Sequence, residues 1–322
     1  MTDTLFLKLI AILLITNSHL DALYPIKGLA SGGAFGNALF FMLSGLGLAI
    51  STHANRMGSI LEWFKYRMSR IFPSVWLVVF VFAVILQAHW KYWQWQDYVH
   101  HFIFPTRYWF LSALMCFYLL LYPLFRFEWR RWALPISMLL IIPYFGFYFT
   151  VVDLSTFSIE NNGLFKWIFY FQVVLLGVWI APHYQSWKTN GHQTTPKEIG
   201  ALLLCLMGYV GLKFLTNKPE YAILQFLVQW ITLPLLYFSL RCAFHPTIEK
   251  YFKGGLPQFV LTAIASSTLE IYLLQADFYT LAWLNQLVFP LNVALFFACV
   301  LPLAYGLQRL THPLHHWLKK RS

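Results

Sequence analysis

Lys8 and His19 are the first two residues in this chain whose types and spacing can do chemistry. They stand eleven positions apart in a stretch that is otherwise almost wholly apolar. On a helix, eleven residues make about three turns, so both fall on one face, about 16 Å apart along the axis. An imidazole can act as a general base or as a nucleophile. An ammonium can hold an anion. Each also has a plain reading: Lys8 as an anchor snorkelling to lipid headgroups, His19 as a helix cap. Asn17 and Asp21 flank the histidine and belong to the same candidate site, close to substrate or to packing.

Further along, "FFMLSGLGLA" (residues 40–49) offers Ser44 beside Gly45, and Gly28, Gly32 and Gly36 precede it at four-residue intervals. Small residues at that spacing let helix backbones approach closely, which is the first reading of Ser44 and Gly45. Arg67 and Arg70 lie three apart in "WFKYRMSRIFPSVW". On a helix they share a face, and paired guanidinium groups beside a bilayer suit either topology or a phosphate-bearing ligand. Trp109 opens "RYWFLSALMCFYLLLYPLF". Late in the chain, "SSTLEIYLLQADF" (residues 266–278) places Glu270, Gln275 and Asp277 in an apolar run. A carboxylate there is expensive and is expected to face a partner or a wet cavity; His19 and the serines Ser266 and Ser267 are the candidates. The aromatic stretch 89–109 reads first as an interfacial belt and second as a sugar platform. The four cysteines are far apart and the histidines form no ligand spacing, so no metal is expected.

The elements that must hold these residues follow from composition. Of 322 residues, 59% are hydrophobic and only 11% charged, against about 25% charged in soluble domains. Apolar segments of near bilayer length recur throughout. The expectation is an all-α polytopic membrane protein, one domain over residues 1–322, with about ten transmembrane helices near 4–24, 34–52, 73–89, 107–125, 132–151, 164–181, 198–215, 221–240, 258–280 and 286–308. Lys8 interrupts the first apolar run, which reads as a span and not as a cleaved signal. With both termini in the cytoplasm, Arg56, Lys65, Arg67, Arg70, Arg126, Arg130, Arg131 and most other cations fall inside. Lys27, Lys91, Arg107, Lys166, Lys213 and Lys218 fall outside. The positive-inside rule favours that orientation and sets His19 nearer the outer face. The net charge of +11 therefore reports topology and membrane lipids as partners, with no nucleic acid.

Taken in order, these motifs resemble the integral-membrane acyltransferase family 3, which includes polysaccharide O-acetyltransferases. That family has an Arg, ten residues and a His in its first span, where this chain has Lys8 and His19. Its phenylalanine-rich serine-glycine motif is matched by Phe40, Phe41, Ser44 and Gly45, its arginine pair before a proline by Arg67, Arg70 and Pro73, and its Trp-Phe-Leu by Trp109, Phe110 and Leu111. Its late Glu-Ile-Tyr-Leu-x-His is matched by Glu270, Ile271, Tyr272 and Leu273, with Gln275 in place of His. The resemblance implies transfer of an acyl group, usually acetyl from acetyl-CoA, to a hydroxyl of a cell-surface or periplasmic glycan or lipid-linked sugar, in a bacterial inner membrane. It implies His19 and Glu270 as catalytic residues and Lys8, Arg67 and Arg70 as donor-binding ones. A transporter or flippase for a lipid-linked sugar is the alternative, with the polar residues lining a passage.

Overall fold

A computed structural model of the chain describes residues 2–53, 58–86 and 89–321, so Arg56 of the topology argument lies outside the described residues. Among the described residues every regular element is helical and none is a strand. A chain this apolar satisfies its backbone polar groups internally, and within lipid a helix does so in a single segment.

The helices that matter for function are α1 (Thr2–Ser18), α2 (Gly33–His53), α3 (Ile60–Met68) and α4 (Phe72–Val78), which runs on as a π-helical stretch to Leu86. They are followed by α5 (Trp109–Arg126), α6 (Ala133–Leu139), α7 (Ile141–Val151), α8 (Gly163–Thr189), α9 (Pro196–Thr216), α10 (Phe226–Cys242), α11 (Gly255–Ser266), α12 (Thr268–Phe278) and α13 (Leu291–Arg321). Six helical segments are long and apolar enough to cross a membrane, or eight if each of two bent pairs counts as one span. The pairs are α3 with α4 and its extension, bent by 45°, and α11 with α12, bent by 73°. All ten expected segments contain helix; α1 and α10, with 17 residues each, are shorter than the six.

The chain forms two compact units. One comprises Met1–Lys8, Asn37–Arg56 and Pro123–Gln258. Within it α2 and α8 meet backbone to backbone: a Cβ on Gly45 would overlap the Val174 carbonyl oxygen, and one on Gly177 would overlap that of Met42. The serine-glycine motif therefore serves close packing here, through Gly45. The same unit holds a polar clamp. Gln225 is fully buried, accepts from the Ser158 and Ile159 N–H groups at 2.7 and 2.9 Å, and donates to the carbonyls of Asp153 and Thr156. One side chain thus satisfies four backbone groups of the 153–159 loop, which would otherwise be costly to bury.

The other unit comprises Leu9–Gly36, Met57–Tyr122 and Phe259–Ser322. Gly36 packs against α1, where an added Cβ would lie 2.7 Å from the Ala11 carbonyl oxygen. The expected glycine stripe is otherwise not a helix face, because α2 starts only at Gly33; Gly28 is exposed and Gly32 has φ +97° in the preceding loop. In this unit α12 packs against α4 and α13.

Candidate active site

The second unit gathers most of the polar residues singled out from the sequence. α1 ends at Ser18, where Ser18 Oγ donates to the Ile15 carbonyl and the chain tightens into i→i−3 bonds, His19 N–H to Thr16 O and Leu20 N–H to Asn17 O. His19 is thus the first residue past the helix, and it is exposed. Its ring lies parallel to that of Tyr279, 7° between planes and 6.3 Å between centroids. Asn17, one turn position earlier, is fully engaged: its Nδ2 donates to the Leu29 and Ser31 carbonyls at 2.8 and 3.0 Å, and its Oδ1 accepts from the Tyr24 hydroxyl at 2.5 Å. Asn17 therefore braces the loop after His19. Asn292 adds a second brace by donating to the Leu23 carbonyl at 2.7 Å. Asp21 is exposed on the short turn Asp21–Leu23 between these anchors.

α12 carries the late polar residues. Glu270 lies in its first turn, directly after the break at Ser267, where the aligned peptide dipoles favour a negative charge. "S-x-x-E" at 267–270 is a capping-box sequence, yet Ser267 makes no side-chain cap; its hydroxyl donates back to the Ala263 carbonyl. Ser266 likewise bonds Ala263. The partner of Glu270 is Ser74 on α4, whose hydroxyl donates to Oε1 at 2.6 Å. Thr311 on α13 lies 3.2 Å from the same hydroxyl oxygen. The Thr311 hydroxyl itself donates to the Leu307 carbonyl at 3.1 Å, one turn back on α13. The second oxygen, Oε2, is buried without a hydrogen-bond partner among the described residues.

The expected pairing of Glu270 with His19 is therefore corrected. Neither carboxylate oxygen is hydrogen-bonded to the imidazole. Helix geometry gives the reason: Tyr279, which stacks on His19, follows Glu270 by nine residues, two and a half turns and about 13 Å along the axis. Asp277, by contrast, stands two turns from Glu270 on the same face. It is buried and pairs with Arg107, just before α5, at 2.6 Å. Gln275, in the place of the family's histidine, is buried with its Oε1 unpartnered among the described residues.

The arginine pair divides. α3 opens with a reciprocal capping box between Ser59 and Glu62, which fixes its first turn. Arg67, in its last turn, is buried with its guanidinium 4.4 Å above the Trp63 ring. Arg70 lies beyond the helix end and is exposed. Trp109 is half-buried at the start of α5, and its ring meets Phe110 edge-on. Lys8 on α1 and Ser44 on α2 are half-buried within the first unit.

A model of the integral-membrane acyltransferase family 3, described as an acyltransferase domain, matches residues 6–308. The chain belongs to this family. It is an integral-membrane acyltransferase, and the match gives no support to the transporter reading. No curated protein and no solved structure matches it significantly. Among the described residues no cluster of His, Cys, Asp and Glu could hold a metal ion. The sequence reading of this acyltransferase missed Ser74, Thr311 and Tyr279. Ser74 directly follows the proline of the arginine motif, which was its only signal; Thr311 and Tyr279 had none.

Proposed function

We propose that this acyltransferase moves an acetyl group from acetyl-CoA to a hydroxyl of a cell-surface or periplasmic glycan or lipid-linked sugar, in a bacterial inner membrane with both chain termini in the cytoplasm. The reading rests on family membership over residues 6–308 together with an exposed imidazole held just past the end of α1. In the direct route the acceptor hydroxyl oxygen attacks the thioester carbonyl while His19 takes its proton. The C–S bond breaks, and the proton goes to the departing thiolate. In the stepwise route His19 first takes the acetyl group, releases CoA, and then passes the group to the hydroxyl. Both give the same products.

Arg70, exposed at the end of α3, is the proposed contact for the CoA phosphates, with Arg67 beneath it. Lys8 is assigned to the donor separately, from its place on the first helix. Glu270 is assigned to the site together with Ser74, whose hydroxyl holds its carboxylate. Trp109, Asn17 and Asp21 border the substrate side in this reading.

The test uses the purified protein with acetyl-CoA labelled in the acetyl group and a membrane glycan fraction. Acetyl transfer to glycan and release of free CoA, both lost in His19→Ala, are the expected result. Absence of label in any glycan while wild-type protein remains folded would defeat the acceptor assignment.

A further inference from the structure

α11 and α13 face each other across a cleft in the second unit that side chains do not fill. Its volume is about 280 Å³. One wall comes from α11 at Phe259, Thr262 and Ser266, and the other from α13 at Tyr305, Arg309 and His312. Each set follows the i, i+3/i+4, i+7 spacing of a single helix face. The two walls differ in chemistry. α11 offers small hydroxyl residues, whereas α13 turns a face of hydrogen-bond donors toward the cleft. No lining residue carries a carboxylate.

Arg309 is the centre of this face. It is exposed, and its Nε and one terminal nitrogen both donate to the Tyr305 hydroxyl, at 3.0 and 2.6 Å. That bond fixes the planar guanidinium while leaving its other terminal N–H groups for a ligand; a guanidinium has five donors. His312 lies one turn on, and Thr262 and Ser266 are exposed opposite. Such a set selects an anion with several acceptor oxygens, which is the chemistry of a phosphate.

The surroundings decide the source of that phosphate. Phe259, which lines the cleft, is large, apolar and exposed, and Val260, Leu303 and Leu310 are exposed elsewhere on the same two helices; a soluble anion needs no such apolar surroundings. Arg309 also stands where the apolar run of α13 gives way to the basic sequence that ends in Lys319, Lys320 and Arg321. Basic residues at that boundary draw anionic lipid headgroups. We propose that the α11–α13 cleft is a binding site for the phosphate headgroup of an anionic phospholipid, with Arg309 and Tyr305 as its main donors and the exposed apolar residues against the acyl chains. The proposal does not depend on which acceptor the enzyme uses.

The experiment is native mass spectrometry of the full chain released from mixed micelles holding equal amounts of phosphatidylglycerol and phosphatidylcholine. Wild-type protein is expected to retain phosphatidylglycerol in preference to phosphatidylcholine. Arg309→Gln is expected to lower that preference about tenfold, and Arg309→Lys to lower it less. A thermal midpoint equal to wild type in phosphatidylcholine alone shows that the variant is folded; should it unfold, the wild-type preference and His312→Gln carry the test. Equal retention of the two lipids by wild type, or unchanged preference in the folded variants, overturns the proposal. Displacement of the lipid by millimolar inorganic phosphate with no dependence on acyl chains identifies a free-anion site and overturns it as well.

Discussion

Ser74 and Glu270 stand 196 residues apart in sequence and share a 2.6 Å hydrogen bond in the interior of the second unit. The bond ties α4 to the first turn of α12, just after the 73° break that separates α12 from α11. Through Thr311 it reaches α13 as well. A carboxylate that looked expensive in an apolar run is thus one member of a three-helix joint, and its second oxygen has no hydrogen-bond partner among the described residues.

Ser74→Ala is expected to destabilise the protein by about 1.5–3 kcal/mol, the usual worth of a hydrogen bond to a charged group, because it leaves both carboxylate oxygens unpartnered. Glu270→Gln keeps an acceptor for Ser74 and is expected to stay near wild type. Thermal unfolding in detergent measures both. An unchanged midpoint in Ser74→Ala would show that the joint contributes nothing.

His19→Ala is expected to abolish acyl transfer while insertion is unchanged and stability falls by no more than the ring pair with Tyr279 contributes. Tyr279→Leu removes only the parallel ring. Aromatic pairs contribute about 0.5–1.5 kcal/mol, so Tyr279→Leu is expected to show a stability loss of that size with transfer retained. Near-normal transfer in His19→Ala is the result that would remove the histidine from the mechanism.

The all-helical class and the order of the motifs were legible in the sequence, because apolar run length and residue type are local properties. The relations between motifs were not. Arg67 and Arg70 read as a pair on one helix face, but α3 stops at Met68, so one is buried on Trp63 and the other projects outward. Gly28, Gly32 and Gly36 read as a stripe, but the first two precede α2, Gly28 in the short 3-10 turn Lys27–Leu29. The segment 258–280 read as one span, and the break at Ser267 turns it. That break reorients Glu270 toward α4, a partner no periodicity within 258–280 could reveal.

The division of the arginines makes them separable by experiment. Arg70→Ala is expected to raise the donor dissociation constant roughly ten- to a hundredfold, as for loss of a charge-assisted contact of about 1.5–3 kcal/mol, with no change in stability. Arg67→Ala is expected to lower stability too, since it strips packing from Trp63. Binding of acetyl-CoA by calorimetry and a melting curve for each variant distinguish the two. Equal, purely binding effects would mean that Arg67 leaves its aromatic seat to meet the donor.

Gln225→Ala removes a partner from four backbone groups in the loop 153–159, of which the Asp153 carbonyl keeps the Ser158 hydroxyl as a donor. Unmet buried groups cost about 1–3 kcal/mol each, so a loss of at least about 2 kcal/mol and faster amide exchange at Ser158 and Ile159 are expected. Gln225→Glu keeps the acceptor for both N–H groups but loses the donor, and it is expected to fall between. Exchange at Ser158 and Ile159 that matches wild type in Gln225→Ala would show that the loop holds itself.

Arg107 and Asp277 form the second tie on the Glu270 face of α12, two turns from the first. Asp277 is almost wholly buried, and about a third of the Arg107 side chain is exposed. Losing one partner of a fully buried pair costs about 3–5 kcal/mol, chiefly because a charge is left alone in a poorly solvated place. The penalties here are expected to be unequal. Arg107→Gln strands the buried carboxylate and is expected to cost about 2–4 kcal/mol. Asp277→Asn leaves a guanidinium that water can reach, and it is expected to cost about half as much. The double variant is expected to be more stable than Arg107→Gln alone, since it removes the stranded charge together with its partner. A double-mutant cycle on unfolding midpoints measures this. Strict additivity of the two single effects would mean that the ion pair does not hold the end of α12 that carries Tyr279 toward His19.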